Sequence, residues 1–435
     1  MNVGGGYGVS EHTSLVGKRK TQVEVADGEA SILSSIANLS NTVMGAGVLT
    51  LPAALRHAGC IPGGAFLVIT YVLSMFSFKV LVQLSVDKGM YSYRDIAVEL
   101  YGSIMSKVCE LVLLFYTCGT CIGYGVLIGD TLTKTEDAGM PAKPHRSGFE
   151  DVITKREVVI ATVAVLFLLP LSLFKNMDPL KYTSFVALAC IVYTFIVLAY
   201  HFSDVGMADD VELFHFKPSL MVAFPLFVVS FTAHYGALGL YKELKHRSAS
   251  RMDWVIYISC TICLSLYAAF AYIGYFQFGA ITKPDILNTF SNPNWVPIIV
   301  ARASFGLVII FSYPLVHNAV RKNLHSLLFN PWDGSAPPGD DPPIWRLRAL
   351  TLGIVLFTNA VAIIMPNIGV VLSFNGCLGV VLVYIIPGML GIRALSHKPF
   401  YYYGCWVLVL FGAIAGSITL VINIILQTPY KSKFE

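Results

Sequence analysis

Charge is scarce in this chain. Asp, Glu, Lys and Arg make up 13% of its 435 residues, about half of the roughly 25% in an ordinary soluble domain. That leaves too little polar material to coat the surfaces of the two or more soluble domains a chain of this length would form. No basic run is long enough to follow a phosphate backbone, and the net charge is only +4, so no nucleic acid partner is expected. Metal-ligand spacing is missing too. The pairs Cys118/Cys121 and Cys260/Cys263 have neither a second pair nor histidines at the right distance, and they read as small packing residues. Cys60 alone falls in an expected outer connection, so no disulfide framework is expected. The strings HExxH, HxxxxD and GxSxG are absent, and His201 with Asp204 stands in an expected loop without supporting groups. An integral-membrane enzyme therefore lacks its acid, base and nucleophile. No G-x-G string is followed by GK[ST], which disfavours ATP-driven transport. Residues 1–29 have no apolar core and are no cleavable signal peptide. Residues 1–30 read as a short disordered cytosolic tail, with Lys18-Arg19-Lys20 as a topology signal.

What the chain does have is apolar length. Hydrophobic residues are 55% of it, and a crossing needs about 20 in a row. Eleven stretches qualify: 31–55, 62–84, 104–132, 156–174, 180–202, 218–240, 252–278, 295–318, 348–366, 369–392 and 402–426. The lipid bilayer is thus the first partner. Only the connections 133–155 and 319–347 are long, and Pro366-Asn367-Ile368 predicts a tight turn. Lys and Arg in the connections favour a cytosolic N-terminus and an outer C-terminus. Tyr401-Tyr402-Tyr403 and Trp406 read as an interfacial anchor.

Two of these stretches are interrupted alike, five apart. The first reads Asn41-Thr-Val-Met-Gly-Ala-Gly-Val-Leu-Thr-Leu-Pro52, the second Ser230-Phe-Thr-Ala-His-Tyr-Gly-Ala-Leu-Gly239. As one helix the first would be about 36 Å long, more than the roughly 30 Å hydrocarbon core. Unwinding at Gly45-Ala46-Gly47 absorbs the surplus. The alternative is a small-residue packing face, but GxG suits irregular backbone better than GxxxG-type contact. Paired interrupted segments in corresponding halves point to a mid-membrane substrate site.

These residues resemble the amino acid/auxin permease family, which includes sodium-coupled neutral amino acid transporters and vacuolar amino acid permeases of fungi and plants. Asn38-Leu39-Ser40-Asn41, Gly45-Ala46-Gly47 and Leu51-Pro52 carry the likeness in the first span. Ser92-Tyr93-Arg94-Asp95-Ile96-Ala97 with Tyr101-Gly102 carries it after the second. Phe231-Thr232-Ala233-His234 with Tyr241-Lys242-Glu243-Leu244 carries it in the sixth, and Phe311-Ser312-Tyr313-Pro314-Leu315 in the eighth, closest to the vacuolar branch. The likeness covers residues 31–426. It implies an all-α, LeuT-type fold: a 5+5 inverted repeat, residues 31–202 and 218–392, plus one extra helix, 402–426, and a C-terminal tail, 427–435.

The resemblance also implies a secondary active transporter of small, neutral amino acids. It would work by alternating access as a monomer, in a vacuolar, lysosomal or plasma membrane. Thr42, Gly45, Ala46, Gly47, Ser230, Phe231, Thr232 and Gly236 would line the substrate site. Asn41 is similar to a sodium ligand of the family, and also suits bonding of carbonyls freed by the break. Ser304 and Ser312 are the span-8 hydroxyls that could complete a sodium site with it. The usual threonine is not evident there, so a proton is preferred to sodium as the coupling ion, and no other cofactor is expected. His234 titrates near neutral pH and could relay that proton; the bland alternative is a neutral ring bonded to a carbonyl. Gly45→Val should block transport by filling the substrate's backbone face. Pro314 is expected to break span 8. Arg302 and Glu110 read as interface ion pairs or gating charges, and Asp130 as solvated. A sensor that binds amino acids without flux is the competing function, though such a protein usually has a larger cytosolic docking tail.

Overall fold

In the computed structural model, the described residues are 28–139, 155–174, 181–215, 217–292, 294–329, 343–365 and 367–427. Most of the expected N-terminal tail, the centres of both long connections and the end of the chain lie outside them. Among the described residues the chain is all-helical apart from one isolated bridge. Nine helices are long and apolar enough to cross a bilayer, and a tenth candidate is a pair bent by 45°, Ile32–Val43 with Gly47–Ala58. The remaining expected span, 156–174, is helical over Arg156–Val163, a π turn Ala164–Leu168, and Leu169–Ser172. At 1.5 Å per residue that is roughly 25 Å, short of an upright crossing.

In chain order the elements begin with α1 (Ile32–Val43), a 3₁₀ turn (Ala46–Thr50), α2 (Leu51–Ala58), α3 (Cys60–Lys88), α4 (Tyr93–Tyr101) and α5 (Ser103–Gly139). The π-interrupted segment Arg156–Ser172 is α6. Then come α7 (Lys181–Val205), α8 (Leu220–Ser230), α9 (His234–Glu243), α10 (Ala249–Phe278) and α11 (Val296–Phe329). The last are α12 (Ile344–Ile364), α13 (Ile368–Val380), α14 (Ile386–Ala394) after a π turn at Val381–Ile385, and α15 (Pro399–Gln427). Cys60 is buried at the start of α3 and does not lie in an outer loop.

Local chemistry sets many of the boundaries. Ser31, Ser92 and Ser248 cap α1, α4 and α10 by accepting backbone N–H bonds three residues on. Asn367 caps α13 through the Gly369 N–H, two residues after Met365 closes α12. Each π turn ends two residues before a proline, Pro170 and Pro387. Proline removes an N–H and clashes with the carbonyl four back, and a widened turn relieves both. Pro314 does not break its helix, contrary to expectation: α11 runs unbroken through it to Phe329, enclosed by α5, α7 and α12.

Charges near the ends of the spans are tied down rather than solvated. Asp130 is half-buried and accepts from Arg156 Nε at 2.7 Å. The same guanidinium donates to Ala362 O, Ile363 O and Met365 O at 3.1–3.3 Å. Arg156 is thus a cationic cap on the carbonyl end of α12. Arg156→Ala is expected to destabilise the protein by about 2–4 kcal/mol, since it removes the ion pair with Asp130 and the donors to three carbonyls. A thermal midpoint equal to wild type in detergent would contradict that. Arg302 is held inside as well: it is buried and donates to Leu287 O at 3.0 Å, in the 3₁₀ turn Ile286–Asn288. Glu110 is buried between Arg94 and Lys107, 3.4 and 3.1 Å away, and also accepts from Ser326. That network fastens α4 to α5 and to the far end of α11.

The isolated bridge joins the two segments that flank the interrupted spans. Ala30 N–H donates to Glu243 O and Lys245 N–H donates to Ala30 O, both at 2.9 Å. Ala30, the last residue of the expected tail, is therefore held against the exit of α9.

Candidate functional site

Both interrupted spans end their first half in the same way. Thr42 Oγ1 donates to Asn38 O at 2.7 Å, one residue before α1 stops. Ser230 and Thr232 hydroxyls donate to Leu226 O and Val228 O, at 2.8 and 2.7 Å, where α8 stops. Hydroxyls bonded four residues back compete with the backbone N–H for the same carbonyl and weaken the ladder. In the first span Gly45, at φ −53° and ψ −146°, then turns the chain into the 3₁₀ segment that Ala46 opens. In the second, Phe231 to Ala233 leave the helix and His234 restarts it. The second break therefore precedes the glycines that drew attention to it. Gly236 and Gly239 lie inside α9, and a Cβ on either would meet nothing within 4 Å.

The two breaks meet. A Cβ on Gly47 would sit 2.6 Å from Ser230 Oγ and 3.0 Å from Ser230 Cα, and one on Gly45 would sit 2.5 Å from Tyr124 Oη. Glycine at both positions permits these close approaches. The face of Gly45 that a side chain would fill is thus covered by Tyr124 of α5. Phe231 is buried with its ring against Tyr71 and Tyr267, at 6.1 and 5.2 Å. Tyr116 faces Tyr235 at 6.2 Å and reaches the Thr232 carbonyl at 3.5 Å. Tyr267 Oη lies 2.6 Å from Val43 O and 2.7 Å from Ser230 O, the last carbonyls of α1 and α8. Sequence reasoning had not singled out Tyr116, Tyr124 or Tyr267. The available signal was a phenol inside an apolar span, which must find a polar partner when buried.

Chemically, the breaks offer two kinds of group. The hydroxyl hydrogens of Thr42, Ser230 and Thr232 are used within their own helices, so their oxygens remain as acceptors. The 3₁₀ turn after Gly45 and the start of α9 are helix N-termini, whose first N–H groups have no partner within the helix and carry partial positive charge. Acceptors and donors at one place complement the ammonium and carboxylate of a zwitterion.

The expected ion ligands are not brought together by hydrogen bonds. Asn41 is 1% exposed; its Nδ2 donates to Ser184 Oγ of α7 at 3.4 Å, and Ser184 in turn donates to Asn38 Oδ1 at 2.9 Å. Among the described residues Asn41 Oδ1 has no hydrogen-bond partner. Ser304 stands beside Cys190, also of α7, and the buried Ser312 hydroxyl has no hydrogen-bond partner among the described residues. Among the described residues no hydrogen bond joins Asn41 to Ser304 or Ser312. The His234 side chain, at the first residue after the second break, is fully buried against α3. Its ring stacks on Phe78 with 3.7 Å between centroids, and its Nε2 faces Ser74 O at 3.3 Å. A carbonyl can only accept, so Nε2 carries the hydrogen. His234→Gln, which can keep that donor, is expected to transport with an unaltered pH profile. A flattened profile would mean that the ring carries the coupling proton.

Comparison with known proteins agrees with this arrangement. The family described as "Transmembrane amino acid transporter protein" matches residues 28–425. Sodium-coupled neutral amino acid transporter 7 of Mus musculus is 29% identical over 419 residues, 94% of this chain and 89% of that protein. Vacuolar amino acid transporter 5 of Schizosaccharomyces pombe is 26% identical over 382 residues, 86% of this chain and 87% of that protein. Amino acid transporter AVT6E of Arabidopsis thaliana is 26% identical over 408 residues, 89% of this chain and 80% of that protein. Two interrupted spans meeting at their breaks, inside a match that runs nearly from end to end, have one conclusion: this chain belongs to the transmembrane amino acid transporter family.

Proposed function

We propose that the protein is a secondary active transporter of small neutral amino acids, driven by a proton gradient in preference to sodium. The observation that carries the reading is the meeting of the two helix breaks, which sets hydroxyl acceptors and helix N-termini around one place between the spans. The substrate carboxylate would lie against the N-terminal ends at Ala46–Gly47 and His234. Its ammonium would face the oxygens of Thr42, Ser230 and Thr232. Phe231, ringed by tyrosines, and the absence of a carboxylate among these residues favour an uncharged side chain. The two interrupted spans would each open one half of a LeuT-type inverted repeat, and rocking between the halves would expose the site to one side at a time. We take the protein to be a monomer with its N-terminus in the cytosol, in a vacuolar, lysosomal or plasma membrane.

The preference for protons rests on span 8, where Ser304 and Ser312 stand and the family's usual threonine is not evident. One observation favours sodium instead: the buried, unpartnered Asn41 Oδ1 is a hard oxygen suited to a small cation. The two readings separate in proteoliposomes given labelled neutral amino acids under a pH gradient or a sodium gradient imposed separately. Concentrative uptake with the pH gradient alone supports the proposal. Uptake with sodium alone replaces it with the sodium reading. Binding without uptake under either gradient leaves a sensor.

A further inference from the structure

Helix α10 carries three donors at four-residue spacing, which puts them on one face. Ser259 Oγ donates to Ile36 O at 3.2 Å, Cys263 Sγ approaches Ser40 O at 3.8 Å, and Tyr267 Oη donates to Val43 O at 2.6 Å. The stripe runs parallel to α1 and ends at its last carbonyl. Val43 O lies in the final turn, where carbonyls have no partner within the helix. Ser230 O is the equivalent group of α8, 2.7 Å from the same hydroxyl. Tyr267 and Ser230 are both fully buried. Two carbonyl oxygens brought this close repel each other. One hydroxyl hydrogen shared between them makes the contact attractive, and no water is needed to bridge it.

We propose that Tyr267 is a positioning residue for transport, its hydroxyl holding the Val43 and Ser230 carbonyls on a single hydrogen so that the two breaks form one substrate-facing surface. It acts through the backbone of its partners and does not touch the substrate. The ring, packed edge-on to Phe231, sets the height of the hydroxyl, and the Ser259 and Cys263 contacts keep α1 alongside α10. The inference rests on the transporter reading above and adds to it the residue that keeps the site in register.

The test is Tyr267→Phe in the full-length protein, which keeps the ring and removes only the oxygen. With L-alanine and L-glutamine as probes, KM for uptake and Kd from thermal-shift titration are expected to rise roughly tenfold. The maximal rate should stay within about twofold of wild type. Ser265→Ala, on the same helix but exposed and off the stripe, should change neither constant. An unchanged KM and Kd in Tyr267→Phe overturns the proposal, and so does a loss of stability with Kd preserved, since that marks a purely structural tyrosine. If the Phe variant fails to fold, 3-fluorotyrosine at position 267 serves instead. It keeps the shape and strengthens the donor, so affinity equal to or tighter than wild type supports the proposal and weaker affinity contradicts it. Wild-type protein that neither binds nor transports the probes removes the transporter reading and this inference together. Wild-type transport with an unshifted Phe variant removes this inference alone.

Discussion

Gly47→Val abolishes uptake, with at least a hundredfold loss expected from displacing a substrate-facing backbone by about 1 Å. The first atom of the new side chain would stand 2.6 Å from Ser230 Oγ and 3.0 Å from Ser230 Cα. Real Cβ atoms essentially never come as close as the first, and the second is tight enough that Ser230 backbone, which cannot rotate away, must give. The Ser230 hydroxyl is itself committed to Leu226 O. The only relief is to separate the two breaks, which pulls Ser230 O and Val43 O off Tyr267. Insertion and overall folding should survive, because α1 keeps its contacts with α7 and α10. The check is uptake into proteoliposomes from protein with a wild-type size-exclusion profile. Uptake within twofold of wild type would mean that the breaks do not form the transport surface. Gly45→Val also disrupts the site, by a different route: its side chain strikes Tyr124 Oη at 2.5 Å, so the damage passes into α5.

Gly376→Ala acts on stability instead. A Cβ there would lie 2.1 Å from Pro225 O and 2.6 Å from the carbon that bears it. Helix α13 touches the backbone of α8 directly at this point, just below the second break. Overpacking of this kind costs about 1–3 kcal/mol when side chains can adjust, and here the obstacle is main chain. The expected loss is at the upper end of that range or beyond, seen as a thermal midpoint several degrees lower and a reduced yield. Gly353→Ala on α12 is the paired control. That glycine faces open space, so alanine should be neutral or stabilise by up to about 1 kcal/mol through helix propensity. Equal midpoints for the two variants would show that the approach of α13 to α8 is loose.

The membrane class, nine of the eleven expected spans (ten if the bent pair counts as one) and the existence of two interruptions were legible in the sequence, because apolar length and clustered glycines are local signals. The exact place of the second interruption was not. Gly236 and Gly239 suggested it, yet α9 passes through both; the chain leaves the helix at Phe231 to Ala233, where Ser230 and Thr232 bond backward. Hydroxyls in an apolar span were read as substrate ligands, and their use by their own helix is invisible without coordinates. Two of the charges failed for a related reason. Arg302 and Asp130 were judged by depth alone, while their partners, Leu287 O and Arg156, lie beyond a short sequence window. Glu110 was read as an ion pair and is one, with Arg94 and Lys107. The tyrosines that frame the breaks were missed because nothing in a short window says that Tyr267 reaches two other spans. Asn41 was legible as a polar group at a break, but its pairing with Ser184 of α7 was not.

The hydrogen bonds between Ala30 and the Glu243–Lys245 segment bear on how the chain is made. Residue 30 leaves the ribosome long before its partners, and four further membrane segments must be inserted before the sixth is synthesised. Until then Ala30 lacks these partners, and Val43 O, the last carbonyl of α1, waits longer still for the Tyr267 hydroxyl of the seventh. The packing of the first span is therefore complete only when α9 and α10 arrive to close around it.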